Sequence, residues 1–356
     1  MRRSRAQDVG LLRLIAQGIV GPRRNQPREA AERMLALQAQ EQWSGLASLT
    51  ARSTSRQQSD VLAALDAGEL VRSWTLRGTL HLTAADNLRW MLRLLAPRQL
   101  ARAATREARL GITASELDRA KQIAVEELSA RGPTSRADVI ARWRASGLDT
   151  GDQRSYHLIW HLAHDGVVCL GPIRAGQQQL VLVDDWVAAS PLFEREEALG
   201  ELARRYFDSH GPATAADLKR WANLTAKETQ LAIALARCKL STLEIEGVEH
   251  LLGPTTQDEL ADCRREARGV FALPGFDELL FGYRDRSATL PERYAAQVLR
   301  ANAVGRCTII FDGRVIGTWK RPRHGTEAKI EQVAPLEHLP AAILRSAASQ
   351  VAELVS

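Results

Sequence analysis

Two glutamines, Gln38 and Gln40, in Met34-Leu-Ala-Leu-Gln-Ala-Gln-Glu-Gln-Trp43, are the residues of this chain whose placement most calls for a chemical explanation. On a helix opened by Pro27, where proline is favoured in the first turn, Gln38 falls three, four, seven and eight positions after Leu35, Met34, Ala31 and Ala30. That puts its amide on the apolar stripe. Burying an unpaired amide costs roughly 1–3 kcal/mol, so the group needs a partner or a purpose. Residues two apart on a helix are separated by about 200°. For both amides to enter one pocket the helix has to end or distort near Ala39, and Trp43-Ser-Gly45 offers a stop. On the residues alone the plainer reading is favoured, with Gln38 capping neighbouring backbone groups and Gln40 in solvent.

Other polar groups have weaker claims. In Trp74-Thr-Leu-Arg-Gly-Thr-Leu-His-Leu82, strand alternation puts Arg77, Thr79 and His81 on one face and Leu76, Leu80 and Leu82 on the other. The polar face suits a phosphate or a ligand pocket, and equally a solvated surface. Asp277, Glu278, Arg284, Asp285 and Arg286 crowd one stretch, where mutual neutralisation is expected for most, with Arg284 or Arg286 as candidate DNA-backbone contacts. Arg314, Lys320, Arg321, Arg323 and His324, on a hairpin and the loop after it, are better candidates, because β-hairpins can enter grooves; a solvated basic loop is the rival reading. His157, His161 and His164 share a helix face, but the glutamate of H-E-x-x-H is absent and no acidic ligand is evident nearby, so no metal is expected. The four cysteines are far apart, which argues against a zinc or iron–sulfur site. Neither a G-x-S-x-G elbow nor a P-loop occurs, and no cofactor is expected.

The elements that must position these groups follow from a repeated phrase. GPTSRADVIARW begins at Gly132 and GPATAADLKRW at Gly211, each leading through a Ser or Thr cap into a short helix closed by Trp. A helix precedes each phrase, the first opened by the capping box Thr113-Ala-Ser-Glu116. Another helix follows each (Gln153–Asp165 and Thr225–Arg237), and then two short strands. Helix, short helix, helix and hairpin is the winged-helix arrangement. The N-terminal segment reads the same way, with helices at Val9–Val20, from Pro27, and at Ser59–Ala67, and strand-like LVRSW and TLHLT. In RCTIIFDGRVIGTWKR, Asp312-Gly313 between β-branched runs is a hairpin signal. The expected fold is mainly α with β: winged-helix units over 1–110, 111–192 and 193–255, then a small β-rich domain over 256–356 closed by a helix at about Pro340–Leu354.

Composition sets the outer limits. At 356 residues, 45% hydrophobic and 25% charged, the chain fits an ordinary soluble globular protein of two or three domains. Arg13 and Gln17 interrupt the apolar run after the basic start, which argues against a signal peptide. No stretch is apolar enough to span a membrane. A cytoplasmic protein is expected. The net charge of +6 fits a nucleic-acid partner, although six Lys among 48 basic residues also fits a GC-rich coding bias.

Q-A-Q at 38–40 resembles the Q-x-Q motif of the AlkZ/YcaQ-like winged-helix DNA glycosylases, on the AlkZ side of the family, since the YcaQ branch carries Asp at the second position. VRSWTLRGTLHL (71–82), LPGFDELLFGYRDRS (273–287) and FDGRVIGTWKR (311–321) agree with that branch, in the family's order and over nearly the whole chain. The resemblance implies a DNA glycosylase acting on double-stranded DNA containing cationic N7-alkylated purines, with bulky adducts and interstrand crosslinks as further candidate substrates. It implies Gln38 and Gln40 as the catalytic pair and tips Arg77 and His81 toward function. A monomer is expected. Two rival readings are a non-enzymatic winged-helix regulator and a protein that sequesters damaged DNA.

Overall fold

The computed structural model describes residues 8–22, 26–188, 190–300, 304–321, 329–332 and 340–355. The chain divides into two compact units, residues 1–61 with 199–356 and residues 62–198. Among the described residues no helix is long and apolar enough to cross a membrane.

The first unit opens with α1 (Val9–Ala16), α2 (Pro27–Met34), the two-residue strand β1 (Leu37–Gln38), α3 (Gln42–Arg52) and the start of α4 (Gln58–Asp66). The expected helix from Pro27 therefore stops at Met34 and does not carry Gln38. Leu35 takes φ 62°, and Leu35, Ala36 and Leu37 are all fully buried. Leaving the helix at Leu35 carries these three apolar residues through the interior into β1. Every residue of α1 is buried, Arg13 included.

In the second unit β2 (Leu70–Trp74) and β3 (Leu80–Ala84) pair antiparallel, with Ser73 opposite His81. The 23-residue α5 (Leu88–Leu110) ends on left-handed Gly111. Then come α6 (Ala114–Arg131), α7 (Arg136–Ala145), α8 (Arg154–His164), the strands β4 (Val168–Arg174) and β5 (Gln177–Leu182), and the short α9 (Val183–Trp186). The strands lie in the order β3-β2-β4-β5. Trp74, Ile123, Leu128, Val139, Trp143, Leu158 and Leu162 belong to the core they share with α6 to α8.

The chain returns to the first unit through α10 (Arg195–His210), α11 (Ala215–Ala222), α12 (Ala226–Ala236), β6 (Ser241–Ile245) and β7 (Val248–Leu252). The helix–helix–helix–hairpin order expected at each Gly-Pro phrase is observed twice. In each copy the residue two positions after the Gly bridges to the hairpin, Thr134 to Leu180 and Ala213 to Leu251. The caps are also as the sequence requires. Thr113 with Glu116 and Thr214 with Asp217 form reciprocal capping boxes, and Ser135 accepts from the Asp138 backbone N–H. The two closing tryptophans differ: Trp143 donates to the Ala120 carbonyl at 2.9 Å, whereas Trp221 donates to a carboxylate.

Beyond lie α13 (Thr256–Ala267), β8 (Val270–Leu273), α14 (Glu278–Phe281) and α15 (Glu292–Val298). They are followed by β9 (Leu299–Arg300), β10 (Val304–Gly305), β11 (Cys307–Phe311), β12 (Arg314–Lys320), β13 (Lys329–Gln332) and α16 (Ala341–Val355). The order β13-β12-β11-β8 makes an antiparallel sheet, with Asp312-Gly313 turning the β11–β12 hairpin. Ala347 and Val351 of α16 belong to one apolar core with Val270 and Ala272 of β8.

The hairpin turn is packed against the protein. A Cβ on Gly10 of α1 would overlap the Gly313 carbonyl oxygen, and Gly313 holds φ 74°. Gly10→Ala should therefore overpack this contact at a cost of about 1–3 kcal/mol, read as a lower urea midpoint; an unchanged midpoint would contradict the close approach.

Candidate active site

Gln38 and Gln40 lie on the segment between α2 and α3, not on a helix. Gln38 ends β1 and Gln40 stands at a bend just before α3, while Ala39 between them, 1% exposed, is buried. Gln38 is half-buried and Gln40 exposed. The alternation Leu-Gln-Ala-Gln was the available signal for this arrangement. The helical stripe drawn through Leu35 and Met34 obscured it.

Two features hold the run. Trp43-Ser-Gly45 does not stop a helix, because it lies inside α3, and Gly45 supplies room. A Cβ there would stand 2.5 Å from the Ala39 Cβ and 3.1 Å from its Cα, a separation that real Cβ contacts do not reach. The second is Glu278, whose Oε1 accepts the Gln38 backbone N–H at 2.9 Å. Its Oε2 accepts from Trp221 Nε1 at 3.0 Å and lies 3.3 Å from His210 Nε2. Glu278 and His210 are both wholly buried. Burial pushes His210 below the ordinary imidazole value against the opposing pull of Glu278, with Arg52 and Arg13 lowering it further.

The neighbouring carboxyl is treated differently. Asp277 Oδ2 and Oδ1 accept from Arg52 Nη1 and Nη2 at 2.8 and 2.9 Å, a bidentate pair. Ser48 Oγ donates to Oδ2 at 2.6 Å and the Leu279 backbone N–H donates to Oδ1 at 2.9 Å. Arg52 also reaches Gln17, whose amide donates to the Tyr283 hydroxyl at 3.0 Å, and that hydroxyl donates to the His210 carbonyl at 2.8 Å. The Arg13 guanidinium lies 3.6 Å over the Tyr283 ring. Arg13 and Gln17, the interruptions in the N-terminal apolar run, are thus part of this buried network. Phe276, just before the two acids, is held at φ 61°, an uncommon conformation for a bulky residue that stores local strain.

The expectation that the acids and arginines of this stretch neutralise one another is therefore corrected. Asp277 and Glu278 face inward to distant partners. Arg284 is exposed, with its backbone N–H on Asp217 Oδ1 at 2.7 Å, and Arg286 Nε donates to the Leu280 carbonyl at 2.6 Å. Two adjacent acids inside the apolar Phe-Asp-Glu-Leu-Leu-Phe run were the signal that sequence reasoning passed over.

Arg77, Thr79 and His81 do not form one strand face. Arg77, at φ 55°, and Gly78, at φ 69°, make the β2–β3 turn, so alternation starts only at Leu80. Thr79 Oγ1 donates to the Leu76 carbonyl at 3.2 Å, and His81 is fully buried with Nδ1 2.9 Å from the Thr79 carbonyl. All three belong to the second unit. The basic hairpin residues are also separated. Arg314 is exposed at one end of β12, and Lys320 and Arg321, both exposed, are at the other, about 20 Å away at ~3.4 Å per residue. Arg321 stacks its guanidinium 4.6 Å from the Trp43 ring centroid. Trp43, in the first turn of α3 and three residues after Gln40, meets Trp319 edge-on at 5.9 Å. Arg323 and His324 lie outside the described residues.

A protein-family profile described as DNA glycosylase AlkZ-like matches residues 31–355. The chain belongs to the AlkZ-like family of DNA glycosylases. A similar protein is the interstrand DNA cross-link repair glycosylase of Streptomyces sahachiroi, 27% identical over 297 residues, which are 80% of this chain and 78% of that one. The solved structure of Streptomyces sahachiroi DNA glycosylase AlkZ has the same fold, with a TM-score of 0.82 at 22% identity over 99% of this chain and 97% of that one. The reading as a non-enzymatic regulator has no support from these findings.

Two measurements test the buried network. Arg52→Met leaves Asp277 without its ion-pair partner and should cost about 3–5 kcal/mol in chemical unfolding. Because His210 is depressed when folded, the unfolded chain binds its proton more readily; the stability linked to this group is complete above about pH 6.5 and is lost as the pH falls below it. Histidine-selective NMR should give His210 an apparent pKa below 6.5, and a value above that would contradict the assigned cause.

Proposed function

We propose that this glycosylase is monofunctional and hydrolyses the N-glycosidic bond of cationic N7-alkylated purines in double-stranded DNA. Gln38 and Gln40 are its catalytic residues. The observation that carries this reading is that Gln38-Ala39-Gln40 leaves the helix, so the two amides are not held about 200° apart, while Glu278 anchors the Gln38 backbone and Gly45 admits Ala39 against α3. N7 alkylation gives the purine a positive charge, so it departs as a neutral molecule without being protonated. General acid catalysis, usually contributing about 10²–10⁴-fold, is then less needed. What remains is to stabilise an oxocarbenium-like sugar and to orient a water near C1′. Amide oxygens serve both purposes: Gln40, the exposed one, orients the water, and Gln38 holds the sugar or that same water. No Lys occurs before Lys121 in the sequence, which fits a monofunctional enzyme without a Schiff base.

Glu278 acts on this pair through the backbone, as a positioning residue. Arg321 over Trp43 is suited to a phosphate near Gln40, and Arg284 and Arg314, both exposed, are further backbone contacts. We read the two helix–helix–helix–hairpin segments, 111–192 and 193–255, as winged helices, with 1–110 as a third and 256–356 as the β-rich domain. The enzyme works as a cytoplasmic monomer. The name of the Streptomyces sahachiroi relative makes interstrand crosslinks a candidate substrate beside simple methyl and bulky adducts.

The test is incubation of the purified protein with duplex DNA containing 7-methylguanine, followed by measurement of free base. Gln38→Ala and Gln40→Ala should each lose about 100-fold or more in release rate while still binding DNA. Glu278→Gln and Gly45→Ala should lower kcat more than they weaken binding. Release undiminished in both glutamine variants would remove the site assignment, and no release from methylated or bulky-adduct duplexes would overturn the substrate class.

A further inference from the structure

A third group of chemically capable side chains lies in the second unit, away from the Gln38–Gln40 run in sequence. His157 and His161 are one turn apart on α8, so their rings share a face. Glu107 of α5 meets them there. Its Oε1 lies 3.2 Å from His157 Nε2 and 2.9 Å from His161 Nδ1. The sequence placed no acid near these histidines because Glu107 is about fifty residues away, and only the packing of α5 against α8 brings it in.

We propose that Glu107, His157 and His161 form a binding site for a zinc-class divalent ion that ties α5 to α8. The three ligand atoms lie within 4.8 Å of one another. A tetrahedral ion with bonds of about 2.0–2.1 Å sets its ligands roughly 3.4 Å apart, so the two measured separations need only a small outward shift. Two imidazoles with one carboxylate suit zinc and its first-row neighbours, whereas magnesium and calcium take oxygen ligands. Side-chain exposures of 5%, 21% and 16% for His157, His161 and Glu107 leave the group closed on one flank and open to a water ligand on the other. Trp160 stacks on the His157 ring at 5.2 Å and 19°, which fixes that ring's plane. The nearby cation, Arg106, is turned to Gln153 Oε1. Each ligand thus comes from a packed helix rather than a loop, which is the rigidity a preorganised metal site requires.

The experiment uses the full chain, stripped of metal by dialysis against a chelator and titrated with Zn²⁺ against a chromophoric competitor, and separately with Co²⁺. One equivalent should bind with micromolar or tighter affinity. The Co²⁺ complex should show d–d bands without thiolate charge-transfer absorption, which separates this site from the exposed Cys238. Addition of Zn²⁺ should raise the melting temperature. Glu107→Gln and His161→Asn, at the two more exposed positions, should each weaken binding by more than the roughly 10–100-fold typical of second-shell changes. Failure to compete with a micromolar chelator, a thiolate band, or full affinity kept in either variant would overturn the proposal. None of these readouts depends on glycosylase activity.

Discussion

Two adjacent carboxyl groups, those of Asp277 and Glu278, are withdrawn from water side by side at the start of α14, and the first unit is arranged around satisfying them. Stripping such groups of water costs several kcal/mol each unless hydrogen bonds replace the lost solvation. Asp277 is satisfied by Arg52, Ser48 and a backbone N–H. Glu278 is satisfied by the Gln38 backbone, Trp221 and His210. The partners come from α3, α10, α11 and the chain before α3, so a shift of any one of them would strand a buried carboxyl. The network specifies an arrangement more than it adds stability, as expected where the Coulomb gain largely offsets desolvation.

That arrangement bears on chemistry because Glu278 holds the backbone of Gln38. Anchoring through the main chain fixes the direction of the segment that carries the proposed catalytic side chain. Gly45 completes the device from the other side, letting Ala39 sit against α3. Catalysis by electrostatic and positional means tolerates little slack, and here the slack is removed by a carboxylate and a missing methyl group.

The repeated phrases show how one local pattern serves two ends. Trp143 and Trp221 close equivalent short helices, and both are fully buried. Trp143 spends its indole N–H on a helix carbonyl, whereas Trp221 gives its own to Glu278. The sequence pattern was the same to within one residue; the acceptor that each indole meets is supplied by segments far away in the chain.

Short-range patterns in the chain were sufficient for much of the architecture. Capping residues, Gly-Pro phrases, Asp312-Gly313 and helical periodicity act over three to six residues, and they located both three-helix-and-hairpin segments, the β11–β12 turn and the closing helix α16. The proposal that Gln38 and Gln40 act as a pair comes from the family resemblance, because residue type and spacing alone favoured a capping role for Gln38 and solvent for Gln40. Contacts spanning from about fifty to more than two hundred residues could not be read in this way. That Gln38 ends a buried strand, that Asp277 and Glu278 turn inward, and that Glu107 joins two histidines all follow from which distant groups share a buried volume, whereas Arg77 and His81 part company through the local turn at Arg77-Gly78. Desolvation makes those choices, because a polar group inside the fold must find its partner wherever the chain has brought one.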